Sequence, residues 1–333
     1  MAQKKKISAL TALAFASALA LSACGGGGGN GAASGTDNSS SGSGNSGSSS
    51  ATTGNVATPQ YVSGSVQLAM FQAVNAQRQQ CGFPALVENT ILDQAAQAHA
   101  QYMGTNNAVS DSESSSATGF TGATYADRAV HFGYPSATYA GGVSAGYYTA
   151  TTLSNADYSS AVVNEWLSGV YHIAIAVWPV TAIGVGEYQT SYAGYPEIWA
   201  SLQIGNLQQS SISAPLTFPC EGSTGLPYKS TGETPTPPNT SGAWGTPVAI
   251  AGNPSDVIVL TSGTMTDGSG TVINLQLLDS ANDPNGLLPK FEAVAYPASP
   301  LTANTSYSVA LTGTINGTPF SRTFRFTTGN VVG

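Results

Sequence analysis

A proline-rich segment separates two stretches of this chain that differ in hydrophobic periodicity. Residues 221–245 contain the run TGETPTPPNTSG, in which Pro, Gly and Thr interrupt both helices and strands. Apolar residues before this segment recur mainly at helical spacing, whereas those after it fall in short runs separated by Gly, Asn, Asp and Pro. The sequence therefore predicts two domains, at residues 60–222 and 244–331, joined by a linker over residues 223–243.

Residues 1–23 resemble a lipoprotein signal peptide. Three lysines at positions 4–6 precede an apolar run that ends in Leu-Ser-Ala-Cys at residues 21–24. This end is similar to the bacterial lipobox, in which the cysteine is lipidated, so we expect lipidation of Cys24 and stable membrane attachment. The alternatives are an ordinary signal peptide cut at a small-residue site, or a chance match. Because Gly25 and not Asp follows the cysteine, the pattern favours an outer-membrane lipoprotein of the cell envelope, periplasmic or surface-exposed.

Residues 24–59 are predicted to be a disordered tether. Gly, Ser, Asn, Ala and Thr make up nearly all of the stretch from residue 25 to residue 54, which therefore buries too little apolar surface to offset its ordering entropy. A tether of this kind would separate a lipid anchor from the folded domains.

The chain is acidic, with 9 Lys and Arg against 17 Asp and Glu. Loss of residues 1–23 would remove three lysines and no acid, which leaves a net charge of −11. No basic patch remains, so we expect no nucleic acid partner. After the signal peptide, no apolar segment is long enough to span a membrane, and we expect a monomer.

Two cysteines, Cys81 and Cys220, remain beside Cys24. In an oxidising compartment a disulfide between them is expected, and the alternative is two free buried thiols. The bridge would tie the start of the first domain to its end.

The first domain is predicted to be α+β. Two late stretches, AIGVGEY and EIWASLQI, alternate like an antiparallel pair of strands. Helical spacing is found earlier, with Asn89 or Thr90 as the N-cap of the second helix. The predicted helices lie in SVQLAMFQAVNAQRQQ, NTILDQAAQAHAQYM, TYADRAVHF and DYSSAVVNEWLSG.

The second domain is predicted to be all β. Five short strands are expected in VIVLTSG, TVINLQLLD, FEAVAYP, TSYSVALTGTI and SRTFRFTTG. The stretch LTANTSY, ending at Tyr307, resembles the tyrosine corner of fibronectin-type and bacterial immunoglobulin-like modules, in which the Tyr hydroxyl bonds to the main chain. We therefore expect an Ig-like β-sandwich, used as a spacer or adhesion module.

Residues 68–205 resemble the CAP superfamily, or SCP domain, of cysteine-rich secretory and pathogenesis-related proteins, in its bacterial form. The resemblance rests on motifs in the same order: VNAQR, LVENTILDQAAQAHAQYM, FTGATYADRAVHFGY, AVVNEWLSGVYH and AIGVGEY. It implies an α-β-α sandwich with a surface cleft. In members with an intact cleft, two histidines and two acidic residues converge there and can hold a divalent metal.

Only one of these four cleft residues has a clear counterpart. His172 matches the second family histidine, whereas Asp111, with Glu113 nearby, stands where the first would be. No Asp or Glu lies between residues 128 and 156, and Gly169 occupies the position three residues after Trp166, where the family's second acid would be. We expect no cofactor, because His172 with Asp111 alone would hold a divalent metal only weakly.

Three other residues are candidate functional groups. His99 lies on the apolar face of its helix and is predicted to be a packed, hydrogen-bonded core residue, and His131 an exposed or capping residue. Ser144 lies in a G-x-S-x-G match, but the residues after it are β-branched and aromatic, which does not favour a nucleophile elbow.

The sequence favours a non-enzymatic role, in which a degenerate CAP-type cleft binds a glycan, a lipid or a surface protein. The alternative is a hydrolase acting on peptidoglycan or peptide, with His172 and either Asp111 or Glu113 as acid–base partners. The two hypotheses differ in geometry, because catalysis needs an accessible His172 with a carboxylate beside it.

Overall fold

In a computed structural model, which describes residues 50–210 and 215–333, five helices and thirteen strands form in the described parts of the chain. The predicted signal peptide, Cys24 and the tether up to residue 49 lie outside the described residues. The helices are α1 (Val66–Gln80), α2 (Thr90–Asn106), α3 (Tyr125–His131), α4 (Asn155–Ser168) and α5 (Ala174–Val177). The strands of the first sheet are β1 (Val87–Glu88), β2 (Ala140–Tyr148), β3 (Val180–Tyr192) and β4 (Tyr195–Leu207).

The first part of the chain is a three-layer α-β-α arrangement. The sheet order is β1-β3-β4-β2, with β3 and β4 forming the expected antiparallel pair and β1 parallel to β3. Successive strand residues face opposite sides of a sheet. On β2, Tyr147 therefore faces α4, where its ring lies 6.4 Å from that of Tyr158, while Ser144 faces α3 and contacts Tyr125. The predicted α+β class is confirmed.

Local signals account for the four longer helices. α1 begins at the N-cap Ser65, α2 at Asn89, which is one of the two predicted caps, and α4 at Ser154. α3 begins with a capping box, in which Thr124 accepts a hydrogen bond from the Asp127 amide and the Asp127 carboxylate accepts from the Thr124 amide.

Glycines let α2 lie directly on the sheet. A Cβ atom at Gly184 would lie 2.2 Å from the main-chain carbon of Leu92, and one at Gly186 would lie 2.2 Å from the main-chain nitrogen of Gln97. Neither position leaves room for a side chain. The glycines of the AIGVGEY motif therefore set the distance between α2 and β3.

The second part of the chain consists of two sheets. One has the order β10-β11-β7-β5 and the other β6-β13-β12-β8-β9. Tyr307 accepts a hydrogen bond from the Thr302 amide at 2.9 Å, which is the main-chain bond expected of its motif; the assignment as an Ig-like module stays a prediction. The strands are β5 (Leu216–Phe218), β6 (Ser223–Leu226), β7 (Val248–Ala251), β8 (Ile258–Asp267), β9 (Val272–Asn274), β10 (Gln276–Asp279), β11 (Glu292–Tyr296), β12 (Ser306–Ile315) and β13 (Thr318–Thr328).

The predicted domain boundaries need three corrections. β5 pairs with β7 and β6 pairs with β13, so the second part recruits strands from residues 216–226, ahead of the predicted start at residue 244. Residues 223–243 are therefore not a free linker, because their main chain and side chains contact both parts of the molecule. The predicted tether is also too long at its end, since Asn55 bridges Asn89 and the Asn89 side chain donates to the Thr53 carbonyl.

The two parts share one hydrophobic core. A single cluster of buried residues runs from Met70 and Trp166 in the first part to Trp244 and Phe326 in the second. The predicted disulfide between Cys81 and Cys220 is confirmed, and it joins the end of α1 to the chain between β5 and β6. Among the described residues, none of the helices has the length and apolar character required to cross a membrane.

Candidate functional site

His172 lies in the turn that follows α4. Gly169 leaves the helical conformation and the chain turns through residues 170–173 before α5. A Cβ atom at Gly169 would lie 2.6 Å from a carboxylate oxygen of Glu233 and 2.9 Å from the His172 Cβ atom, so only glycine fits. The His172 residue is 4% exposed. His172, which matches the second family histidine, is therefore buried.

The carboxylate next to His172 comes from Glu233, in the segment predicted to be a linker. Its two oxygens accept hydrogen bonds from three consecutive main-chain amides, those of Val170 at 2.7 Å, Tyr171 at 2.9 Å and His172 at 3.0 Å. The Nδ1 atom of His172 lies 3.4 Å from one of these oxygens. Consecutive amides that point at one group form a concave site that suits an anion, and here the chain's own Glu233 carboxyl group occupies it.

Burial controls the protonation of both groups. It raises the pKa of Glu233 to about 7, against the three amide hydrogen bonds that lower it, and the charge of Asp111 adds to the rise. Burial also lowers the pKa of His172 to about 4. His172 is therefore neutral near pH 7, where Glu233 is poised between its two forms.

Asp111 is bound by Tyr125, on the side of the sheet that α3 covers. The Tyr125 hydroxyl donates to its carboxylate at 2.5 Å and lies 2.6 Å from the Ser144 hydroxyl. Burial raises the pKa of Asp111 to about 6, although the hydrogen bond from Tyr125 lowers it. Ser144 sits within strand β2 and is 3% exposed, so the strand–turn–helix geometry of a nucleophile elbow is not present around it.

Glu113 pairs with His99 and not with His172. Its carboxylate lies 2.8 Å from the Nδ1 atom of His99, and it accepts a further hydrogen bond from the Thr121 amide. The other ring nitrogen of His99 lies 2.7 Å from the Ser110 carbonyl, so both nitrogens face acceptors. His99 is 0% exposed, as predicted for a packed core residue, and it fastens α2 to the loop over residues 110–122. Glu113 is therefore not a partner for His172.

No metal site is assembled from the candidate residues. Within the two described ranges, no group of three or more His, Cys, Asp and Glu side chains is placed to hold a metal ion. His131, the third histidine, is exposed at the end of α3, where its ring lies against Phe132 at 4.9 Å.

The turn that carries His172 is covered by the second part of the chain. Tyrosine and tryptophan side chains on one part bond to polar groups on the other, so the turn is closed over by residues 230–292. These bonds join the Tyr171 hydroxyl to Asp283 at 3.0 Å and to Asn285 at 2.7 Å, Trp178 Nε1 to Glu292 at 2.6 Å, and Trp244 Nε1 to the Ser168 carbonyl at 2.8 Å.

A family model matches most of the first part of the chain. Residues 71–203 match the family model described as the CAP, cysteine-rich secretory protein family. This match supports a CAP superfamily domain. Among solved structures, an outer surface protein from Borrelia burgdorferi is similar to part of this chain, with a TM-score of 0.30 and 15% identity over 42% of this chain and 92% of that chain. No match was found among curated proteins.

Glu233 is the site residue that sequence reasoning missed. It lies in TGETPTPPNTSG, where composition predicts a linker and no periodicity marks a buried position. Its role depends on tertiary contacts alone, and no local pattern could have revealed it.

Proposed function

We propose that this chain is a cell-envelope lipoprotein whose CAP domain binds a ligand and does not hydrolyse it. The observation that carries this proposal is the buried contact between His172 and Glu233. A general base must come within hydrogen-bond reach of the proton that it removes from a substrate. His172 is 4% exposed, and the carboxylate beside it is already bound to three main-chain amides.

The two other acidic candidates, Glu113 and Asp111, are also held by hydrogen bonds within the protein. Glu113 bonds to His99 and Thr121, and Asp111 bonds to Tyr125. Each of these contacts holds a loop or helix in place, which is what a binding scaffold needs. A hydrolase would instead need one of these carboxylates free to accept a proton beside an open cleft.

The envelope location is proposed from the N-terminal sequence. The basic residues 4–6, the apolar run that ends at residue 21 and the lipobox-like Leu-Ser-Ala-Cys support lipidation of Cys24. The Gly- and Ser-rich stretch that follows would hold the CAP domain away from the lipid.

Hydrolysis is tested with the full chain, incubated with purified peptidoglycan and with a set of unstructured peptides. We expect no soluble muropeptides and no cleaved peptides, and we expect His172→Ala to leave this result unchanged. Product that the wild-type protein releases and the His172→Ala variant does not would overturn the binding proposal in favour of the hydrolase.

The anchor is tested by metabolic labelling with a fatty acid. The wild-type chain should incorporate label and partition into detergent, whereas Cys24→Ser should do neither. Equal labelling of the two chains would refute lipidation at Cys24.

A further inference from the structure

A groove of about 620 Å³ lies on the α2 side of the CAP domain, away from His172. One wall is the segment over residues 60–67, which leads into α1, and the other is the outer side of α2. Five glutamines line these walls, and we call the cavity the glutamine groove. They are Gln60, Gln67, Gln94, Gln97 and Gln101.

The glutamines of α2 form a single row. Gln94, Gln97 and Gln101 are spaced by three and four residues, which places them on the same side of a helix. Gln97 is fixed, because its side-chain nitrogen donates to the Glu187 carbonyl at 2.7 Å. In the described parts of the chain, no hydrogen bond engages the side-chain amides of the other four glutamines.

Hydrogen bonds to two carboxylates shape the groove in advance of any ligand. The Tyr61 hydroxyl donates to the Asp93 side chain at 2.5 Å, and the main-chain N–H of Gln60 donates to the Glu88 side chain at 2.6 Å. The Tyr61 ring also packs against Phe71, with centroids 5.5 Å apart. These contacts hold the segment of residues 60–67 against α2, so the two walls are already at a fixed separation.

The lining selects the chemistry of the ligand. It contains the carboxyl groups of Glu88 and Asp93, and burial raises the pKa of Asp93 to about 8. The lining has no basic residue, in a chain of net charge −8, so an anionic ligand would find no cation to pair with. Each glutamine amide offers two donors and one acceptor oxygen, which suits hydroxyl groups. Tyr61 and the half-buried Phe132 offer ring surfaces against which an apolar face can pack.

We propose that the glutamine groove binds a short, neutral oligosaccharide. This inference rests on the proposed binding function, because it names the ligand class and the place where the CAP domain would hold it. Amide groups from both walls bond to the sugar hydroxyls, and the rings of Tyr61 and Phe132 pack against the sugar faces. The length of α2 between Thr90 and Gln101, about 17 Å at the helical rise of 1.5 Å per residue, suits an oligosaccharide better than a single sugar.

The test uses the full chain and isothermal titration with cellotetraose, maltotetraose and N-acetylated chitotetraose. The double variant Gln94→Ala, Gln101→Ala removes two free amides while keeping residues that favour a helix. Gln79→Ala is the matched control, because Gln79 is an exposed helical glutamine outside the groove. Loss of two hydrogen bonds should weaken binding by about tenfold, whereas the control should stay within about twofold of wild type.

Binding of at least one neutral tetrasaccharide, weakened in the double variant alone, supports the proposal. No binding of any of the three, binding that the double variant leaves unchanged, or equal binding of tetragalacturonate would overturn it. Binding of a neutral tetrapeptide to the groove, without binding of any of the three tetrasaccharides, would also overturn it. Cleaved oligosaccharide in the titration cell would instead contradict the non-hydrolytic function while leaving the groove as the binding site, so the two failures can be told apart.

Discussion

Replacing Glu233 by glutamine should change how the stability of this protein depends on pH. Burial raises the pKa of Glu233 from its ordinary 4.5 to about 7, so the folded protein binds this proton more tightly than the unfolded chain does. The stability contributed by the group is therefore complete below about pH 4.5 and is lost as the pH rises through about 7. At about 1.4 kcal/mol per pKa unit, the loss is about 3 kcal/mol.

The glutamine side chain of the Glu233→Gln variant has no proton to lose in this range, so the difference between wild type and variant isolates the effect of this one carboxyl. We expect the free energy of unfolding of the wild type, relative to the variant, to fall by about 3 kcal/mol between about pH 4.5 and pH 8. Urea denaturation followed by tryptophan fluorescence at four or five pH values measures this difference.

Glu113→Gln is a control in which the pH dependence of the stability difference should have the opposite sign. Although burial raises the pKa of Glu113, the hydrogen bonds from His99 and Thr121 and the charge of Arg128 outweigh it, so the pKa is lowered. The stability that Glu113 contributes is present above its ordinary pKa and lost as the pH falls. A difference for Glu233→Gln that is flat or rises with pH would refute the reasoning, because it would mean that the three amides keep Glu233 ionised.

Three further substitutions, the first with a control variant, test packing within the first part and contacts between the two parts. Gly184→Ala would place a Cβ atom 2.2 Å from the main chain of Leu92 and should destabilise the fold by about 1–3 kcal/mol, whereas Gly268→Ala, with no atom within 4 Å, should change stability by less than about 0.5 kcal/mol in the same thermal denaturation assay. Cys81→Ser opens a link between residues 139 positions apart and should cost about 2–5 kcal/mol in non-reducing urea titrations. Trp178→Phe removes the hydrogen-bond donor to the buried carboxyl group of Glu292 and should cost about 1–3 kcal/mol by calorimetry; an unchanged unfolding temperature would contradict that role.

Local signals made the four longer helices predictable, whereas several strands depend on tertiary pairing. The N-caps Ser65, Asn89 and Thr124 stand directly before their helices, and the apolar spacing follows within each helix, so both signals are local in sequence. Strand β2 has the sequence AGGVSAGYY, whose glycines do not favour a strand, and it forms because β4 pairs with it along its whole length. The short β5 and β6 likewise depend on partners from residues 248–328.

The candidate site was predictable only in part. The position of His172 after α4 and the packed state of His99 follow from the family motifs and from helical spacing. The partners did not follow, because Glu113 lies close to Asp111 in sequence yet bonds to His99. Glu233 reaches His172 from more than 60 positions away, and no sequence spacing encodes such a contact.

The shared core has a consequence for how the protein can be divided. β6 pairs with β13, about a hundred positions later in the chain, and the Gly333 amide bonds to the Lys229 carbonyl. A fragment cut in the proline-rich segment would expose the apolar face around Trp166 and leave β13 with an unpaired edge, which favours aggregation. Such long-range contacts also slow folding. We therefore expect limited proteolysis to leave the folded region whole or to reduce it to small peptides, and not to yield two separately stable halves.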